Sequence, residues 1–329
     1  MAHVLVCGAI NWDTICLVEH LPIQGEEVTC DSVGEVPGGT GANAAVAAAR
    51  ILGRDEVALF AALGKDSIAT MQLGILDAEG VVHEPVLQIG GQSSGHAYIF
   101  VDHTGQNVIA SNLGANAALN TRYARQARLS TLLQTCSCVV LTDPPLPVVS
   151  YLLRAATALG LPALWDPGIL VRRGRNVLAP LTGKVDTLVL NEAEVAQLFG
   201  TDRLDEIGKV LASGPSPSFL ILKLGSRGSV LIESRSGMTV HVPALPVSQL
   251  GMAVVNTVGC GDVFLGAYAA YLALGSERRQ ALLMASAAGG LNATRPETRG
   301  GPDRTSLEDT VHRAASLGFE LTRAEGGSG

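Results

Sequence analysis

Seven consecutive residues, Asn256-Thr257-Val258-Gly259-Cys260-Gly261-Asp262, run straight into an apolar stretch from Val263 to Leu274. A loop of small residues that delivers a carboxylate to the first turn of a helix brings unpaired backbone N–H groups and an acid to one point. Glycines at 259 and 261 leave the backbone open to an anion, and the helix dipole adds roughly half a positive charge there. The chemistry this permits is phosphate binding with a base beside it; the same residues also fit a plain loop-to-helix turn. A second cluster, Pro37-Gly38-Gly39-Thr40-Gly41-Ala42-Asn43, leads into a helix through Leu52. Its start offers backbone donors and the Asn43 amide, suited to hydroxyls, or a glycine-rich turn with Asn43 as cap. Neither cluster matches GxxxxGKS/T and no GxGxxG follows the first strand, which disfavours a P-loop NTPase and a dinucleotide dehydrogenase.

The elements that must position these clusters alternate in type. Strand patterns at His3 to Ile10, Val57 to Ala61, Ser137 to Leu141, Ala163 to Asp166 and Thr187 to Leu190 interleave with helical patterns at Gly41 to Leu52, Ser67 to Asp77, Leu146 to Leu159 and Glu192 to Phe199. This repeat predicts an α/β fold with a mostly parallel, doubly wound sheet flanked by helices, which binds ligands beyond the carboxyl ends of its strands. Asn11, Asp13, Asp143, Asp166 and Asn191 fall at or just after such ends. Residues 14–37 and 95–110 lack a following helix and read as a small inserted β-lid, the second segment as a hairpin around Thr104-Gly105. Residues 1–13, 38–94 and 111–323 then form the main domain, and 324–329 a disordered tail.

With 329 residues, 47% of them apolar and 16% charged, the chain can bury a large core. A net charge of −7, with no basic run longer than Arg172-Arg173 or Arg278-Arg279, argues against nucleic acid or an anionic membrane and for a small-molecule partner. No stretch reaches the roughly 18 apolar residues of a membrane span, and MAHVLVCGAI lacks a basic n-region, so a cytoplasmic protein is expected. Cys7, Cys16, Cys30, Cys136, Cys138 and Cys260 form no CxxC pair or zinc-type spacing, which predicts neither disulfides nor a cysteine metal site. Cys260 alone, at a helix start, is expected to have a lowered thiol pKa.

The paired signatures PGGTGANAA and NTVGCGD, about two hundred residues apart, resemble the two motifs of the ribokinase-like (PfkB) carbohydrate kinases. The similarity covers nearly the whole chain, including GAINWD, GQNVIASNLGANAAL, LNEAE, KLGSRGSV and LNATRPETRGGPD. It implies an ATP-dependent kinase for a sugar hydroxyl, with ribose first and nucleosides or sugar phosphates as alternatives. By that resemblance Asp262 is the catalytic base, with a pKa depressed by the helix start, and the N–H groups of Gly259, Cys260 and Gly261 form an anion hole. Asp13, Gly39 and Asn43 match the sugar-hydroxyl ligands, with Asn11 beside them. Asp143 stands where ribokinases carry a glutamate, although Thr-Asp-Pro-Pro also makes a good turn. Asn191 and Glu194 fill an NxxE motif that holds Mg²⁺ through water, and equally fit a capping box.

Lys223, Gly225 and Gly228 resemble the nucleotide-edge loop, with Ser286 flanking the adenine. Asn256, Val258 and Thr294, with the Arg299-Gly300-Gly301 turn, resemble a K⁺ site in which Asn256 replaces the usual aspartate. Thr40 stands where a lysine is frequent, which weakens the case for a phosphorylated sugar. Asn256 is nonetheless reminiscent of sugar-phosphate kinases, and Trp165-Asp166-Pro167-Gly168 of nucleoside or keto-sugar kinases, so the substrate stays open among these classes. His96, His103 and Trp12 fit either substrate contacts or ordinary strand positions. The open lid edge between Gly95 and Ala110 predicts a homodimer. The competing class is a non-catalytic sugar or nucleotide sensor, which loss of Asp262 or of the glycines would mark; all are present.

Overall fold

The computed structural model describes residues 2–104 and 106–323, so Gly105 of the expected hairpin turn and the expected tail at 324–329 lie outside the described residues. Among these residues, ten strands form one sheet in the order Thr322–Arg323, Thr239–Val242, Ser229–Glu233, Phe219–Lys223, Thr187–Asn191, Ala163–Asp166, Cys138–Thr142, Val4–Gly8, Val57–Phe60, Val81–Val82. Pairing is parallel from Val81–Val82 through Phe219–Lys223 and antiparallel across the remaining strands. The two-residue alternation of strands explains the composition: Val4 and Val6 enter one hydrophobic layer, Leu5 and Cys7 the opposite one. Because helices cover both faces, the central strands read as continuous apolar runs. No helix among the described residues is long and apolar enough to cross a membrane.

The helices Thr40–Leu52 and Cys260–Ala273 lie in the same layer and touch closely. A Cβ on Gly266 would stand 2.3 Å from the Ala44 carbonyl oxygen and 2.9 Å from the Ala47 Cβ, so the alanine-rich face and the glycine let two backbones meet.

Four strands make a second, smaller sheet where the lid is expected, in the order Cys30–Gly38, Asn11–Val18, Gly95–Asp102, Asn107–Asn112. Asn11–Val18 runs parallel to Gly95–Asp102; the other pairings are antiparallel. Val4–Gly8 ends two residues before the lid strand begins, so Asp13 is the third residue of a lid strand and sits near its root, where Asn11 is paired with both Gly38 and Gly95. The root is pinned by Asp66, which caps the helix Ser67–Ala78 through the Ala69 N–H and also accepts from the Ser94 N–H and hydroxyl.

Candidate active site

The two glycine clusters start helices that aim at the same end of the sheet, but their free donors differ. Gly259 has φ 79°, and a Cβ there would lie 2.3 Å from the Thr298 carbonyl oxygen, so only glycine fits. The helix begins at Cys260 with no side-chain cap. The Cys260 N–H makes only a long 3.4 Å bond to the Thr257 carbonyl, and among the described residues no backbone carbonyl accepts from the Gly259 or Gly261 N–H. At the other helix, Gly41 and Ala42 donate to the Ala9 carbonyl at 3.0 and 3.1 Å, and Asn43 N–H to the Gly39 carbonyl at 2.8 Å. The expectation that this second helix start offers its backbone donors to hydroxyls is therefore corrected: the loop after the first strand already engages them. Gly39, with φ 96°, is required because a Cβ would stand 2.6 Å from Ile10 Cα and from Asn11 N.

Asp262 sits on the first helical turn and accepts a 2.8 Å hydrogen bond from Asn43 Nδ2, which joins the two clusters. Its pKa is pushed up to about 7, first by burial and then by Asp166 and Asp13, against the pull of Asn43 and Lys223. The expected depression by the helix start is thus overturned: desolvation and neighbouring carboxylates outweigh the dipole. The Cys260 thiol is corrected in the same direction, raised mainly by burial and also by Asp262.

Asp13 is 5% exposed, and its Oδ1 has no hydrogen-bond partner. Burial pushes its pKa up to about 6, with Arg299 pulling the other way. The Asn11 side-chain oxygen accepts from Asn116 Nδ2 at 2.9 Å, and Asn116 also brackets the backbone of Ile10. Asp143 adopts φ 45°, uncommon for a residue with a side chain, directly after the strand Cys138–Thr142. The Thr40 hydroxyl donates to its Oδ1 at 3.1 Å. Burial raises Asp143 to about 7, with Asp166, Asp262 and Glu194 adding to the effect against that hydrogen bond.

At the ends of the next strands, Asn191 and Glu194 form the capping box, with Asn191 N–H to Glu194 Oε2 at 2.8 Å and Glu194 N–H to Asn191 Oδ1 at 2.9 Å. Glu194 is nevertheless raised, by burial first and then by Asp166, against the pull of Lys223 and of the bonds with Asn191. Lys223 Nζ pairs with Asp166 at 2.6 Å and lies 3.1 Å from where a Gly261 Cβ would be. That location puts the ammonium against the candidate anion hole, from the last residue of the strand Phe219–Lys223, which leads into the turn of Gly225 and Gly228. Gly225 faces open space, whereas Gly228 is packed, its absent Cβ only 2.0 Å from the Val242 carbonyl oxygen. The Ser286 hydroxyl is held 2.6 Å from that of Ser229.

Among the described residues no three His, Cys, Asp or Glu side chains converge to hold an ion. K⁺ fits poorly at the expected residues. Asn256 Oδ1 accepts from the Val258 N–H and its Nδ2 donates to the Pro296 carbonyl, both at 3.0 Å, while Val258 O accepts from Asn292 Nδ2 at 3.2 Å. Thr294 turns its hydroxyl onto the Leu291 carbonyl. An amide N–H thus points at an oxygen a cation would need; among the described residues Asn292 Oδ1 and Thr298 Oγ1 are buried side-chain oxygens of this region without a hydrogen-bond partner.

The lid histidines and Trp12 are not brought to the site. Strand alternation puts Trp12 and Thr14, opposite His96 and Tyr98, on the face away from Asp13. His96 bonds the Thr14 hydroxyl and stacks on Tyr98, Trp12 donates to Glu35, and His103 bonds the Glu19 carbonyl. Gln72 and the Arg299 side chain enter the site without a place in the motif reading, and Asn116 enters it from the GQNVIASNLGANAAL stretch, which gives it no role of its own. Gln72 inside the apolar helix sequence IATMQLGIL was the available signal, since a buried amide requires a partner.

The profile described as pfkB family carbohydrate kinase matches residues 1–305. The chain is 30% identical over 298 residues to a bifunctional ribokinase/ribose-5-phosphate isomerase A of Fructilactobacillus sanfranciscensis, covering 88% of this chain but only about half (52%) of that relative's length. It is 27% identical to an ATP-dependent ribose-1-phosphate kinase of Halopiger xanaduensis, covering 92% of this chain and 95% of that one. The structure of Arabidopsis thaliana ribokinase complexed with ribose and ATP superposes with a TM-score of 0.83 at 26% identity, covering 94% of this chain and 99% of the other.

Proposed function

The chain belongs to the pfkB family of carbohydrate kinases, and from that membership we propose that it transfers the γ-phosphoryl group of ATP to a hydroxyl of a neutral sugar, ribose before others. The observation that carries this reading is the Asn43–Asp262 hydrogen bond, which holds a carboxylate with a pKa near 7 beside the open N–H groups of the Gly259–Gly261 turn. A base with a pKa near 7 is ionised in about half of the molecules at neutral pH, and in that form it is basic enough to take the hydroxyl proton. In the reaction, the sugar oxygen bonds to the γ-phosphorus, the bond to the leaving ADP oxygen breaks, and Asp262 receives the proton and later releases it to water. The loose transition state makes orientation and charge stabilisation the main tasks, met by Gly259, Cys260 and Gly261 N–H groups and by Lys223. Mg²⁺ would be held by Glu194 with Asp166 beside it, supplying charge neutralisation on the phosphates. Gly225 faces the nucleotide in this reading.

Asp13, with an unpartnered buried oxygen, and Asp143 are the acceptors for sugar hydroxyls, with Asn11, Gly39 and Asn43 at the same end. A sugar phosphate, the substrate of one relative, is disfavoured because the site's buried cations are occupied, Lys223 by Asp166 and Arg299 by neutral acceptors. The lid offers exposed Val33, Val108 and Ile109 and a fully exposed edge strand, Asn107–Asn112, which supports pairing with a second copy. ADP release with Mg·ATP across ribose, other sugars, nucleosides and sugar phosphates tests the reading. Turnover on a neutral sugar, lost by roughly a thousandfold in Asp262→Asn, is expected; equal rates in variant and wild type would overturn the base assignment.

A further inference from the structure

Arg299 is buried to 5% exposure and bonds three groups, each more than two hundred residues away in sequence. Its Nε donates to Asn43 Oδ1 at 2.8 Å, Nη1 to Gln72 Oε1 at 3.1 Å, and Nη2 to the Gly38 carbonyl at 2.6 Å. We propose that Arg299 is a positioning residue for phosphoryl transfer: its guanidinium fixes which end of the Asn43 amide faces Asp262 and ties that carboxylate to the root of the lid. The proposal rests on the reading of Asp262 as base.

The direction of the amide follows from donor counting. A guanidinium has five N–H groups and no acceptor, and a carboxylate offers only acceptors. Asn43 sits between the two, so only one orientation gives two hydrogen bonds, with Oδ1 toward Arg299 and Nδ2 toward Asp262. The flipped amide sets N–H against N–H and carbonyl against carboxylate, losing both charge-assisted bonds. Without Arg299 the amide is oriented from the Asp262 side alone, and its Oδ1 loses the donor that holds it.

The same side chain reaches two of the four lid strands at their root. Gly38 is held directly, and Asn11, its paired residue, through Gln72, whose Nε2 donates to the Asn11 carbonyl. Asp13 lies against this point, its Oδ2 only 1.9 Å from where a Gly38 Cβ would be. Arg50, itself paired with Glu79, donates to the carbonyls of Arg299 and Gly301 at 2.6 and 2.7 Å and anchors the turn from behind. Base and sugar ligand are therefore held in one frame by a planar fork, a shape that lysine does not reproduce.

The test compares Arg299→Lys and Arg299→Met with the wild type, reading kcat and KM for the sugar and for Mg·ATP, and the thermal melting curve, with Asp262→Asn alongside. Arg299→Lys keeps the charge but not the fork; its kcat/KM for the sugar should fall about tenfold or more, and that of Arg299→Met about a hundredfold, with KM for Mg·ATP within about twofold. Wild-type kcat/KM for the sugar in either variant would overturn the proposal, as would a parallel rise in KM for Mg·ATP, the result of general loosening. Should Arg299→Met not fold, Arg299→Lys decides alone. An active Asp262→Asn would remove the underlying reading of the base, whereas an inactive Asp262→Asn beside an unimpaired Arg299→Lys would remove only the role of Arg299.

Discussion

Replacing Asp262 with asparagine is expected to do two opposite things: abolish turnover and strengthen the free protein. The Asp262 carboxyl is raised from 3.8 to about 7, with burial as the largest cause. A folded-state pKa above the unfolded one means that the folded chain binds the proton more tightly, so ionisation costs folding free energy. The cost is absent below about pH 4, grows through the window up to about 7, and is complete above it. About three pH units at 1.36 kcal/mol each set a ceiling near 4 kcal/mol. With an unfolding entropy of about 2.1 cal/mol/K per residue over 329 residues, that ceiling corresponds to a melting shift of ~6 °C. Asparagine is neutral at every pH and keeps an oxygen for the Asn43 donor, so it recovers part of this amount. Scanning fluorimetry of the ligand-free proteins should show the variant melting a few degrees higher at pH 8, with the gap closing toward pH 5. The same titration should leave wild-type kcat/KM about tenfold below its plateau at pH 6. Equal melting at pH 8, or a gap that ignores pH, would refute the reasoning.

Two further outcomes are expected. Exchanging K⁺ for choline in the assay should change kcat by less than about twofold, since Asn256 braces the loop through its own amide; a collapse of the wild-type rate without K⁺ would refute this, and Asn256→Asp should introduce dependence on the ion. Light scattering at micromolar concentration should give the mass of a dimer, and replacing Val108 and Ile109 together by lysine should shift it toward the monomer; a wild-type monomer would remove the lid from consideration as an interface.

Much of the site is local in sequence and could be read there. The Gly259–Asp262 turn, the Asn191–Glu194 capping box and the strand-end carboxylates Asp143 and Asp166 are each a few residues long, and each has its chemistry in its own neighbourhood. Two kinds of fact were not legible. The sign of the Asp262 and Cys260 shifts depends on burial, which a helix-start argument ignores. The hub made by Arg299, Gln72, Asn43 and Gly38 depends on contacts across most of the chain, and nothing local marks it except a glutamine among apolar neighbours. The side of the lid on which His96 falls is a matter of register: it is paired with Trp12 and so sits one residue out of phase with Asp13.

The contact at Gly266 joins the helices Thr40–Leu52 and Cys260–Ala273 with almost no space between their backbones. Their two starts therefore move as one block, and neither glycine cluster can be re-aimed while the other stays in place. A lineage, or an engineer, seeking a different acceptor is left with the parts outside that block: the lid strands that carry Asp13, the turn at Asp143, and Gly168 beside it. In the proposed reaction the groups around the transferred phosphoryl are fixed together, and substrate preference is open to piecemeal change at the rim.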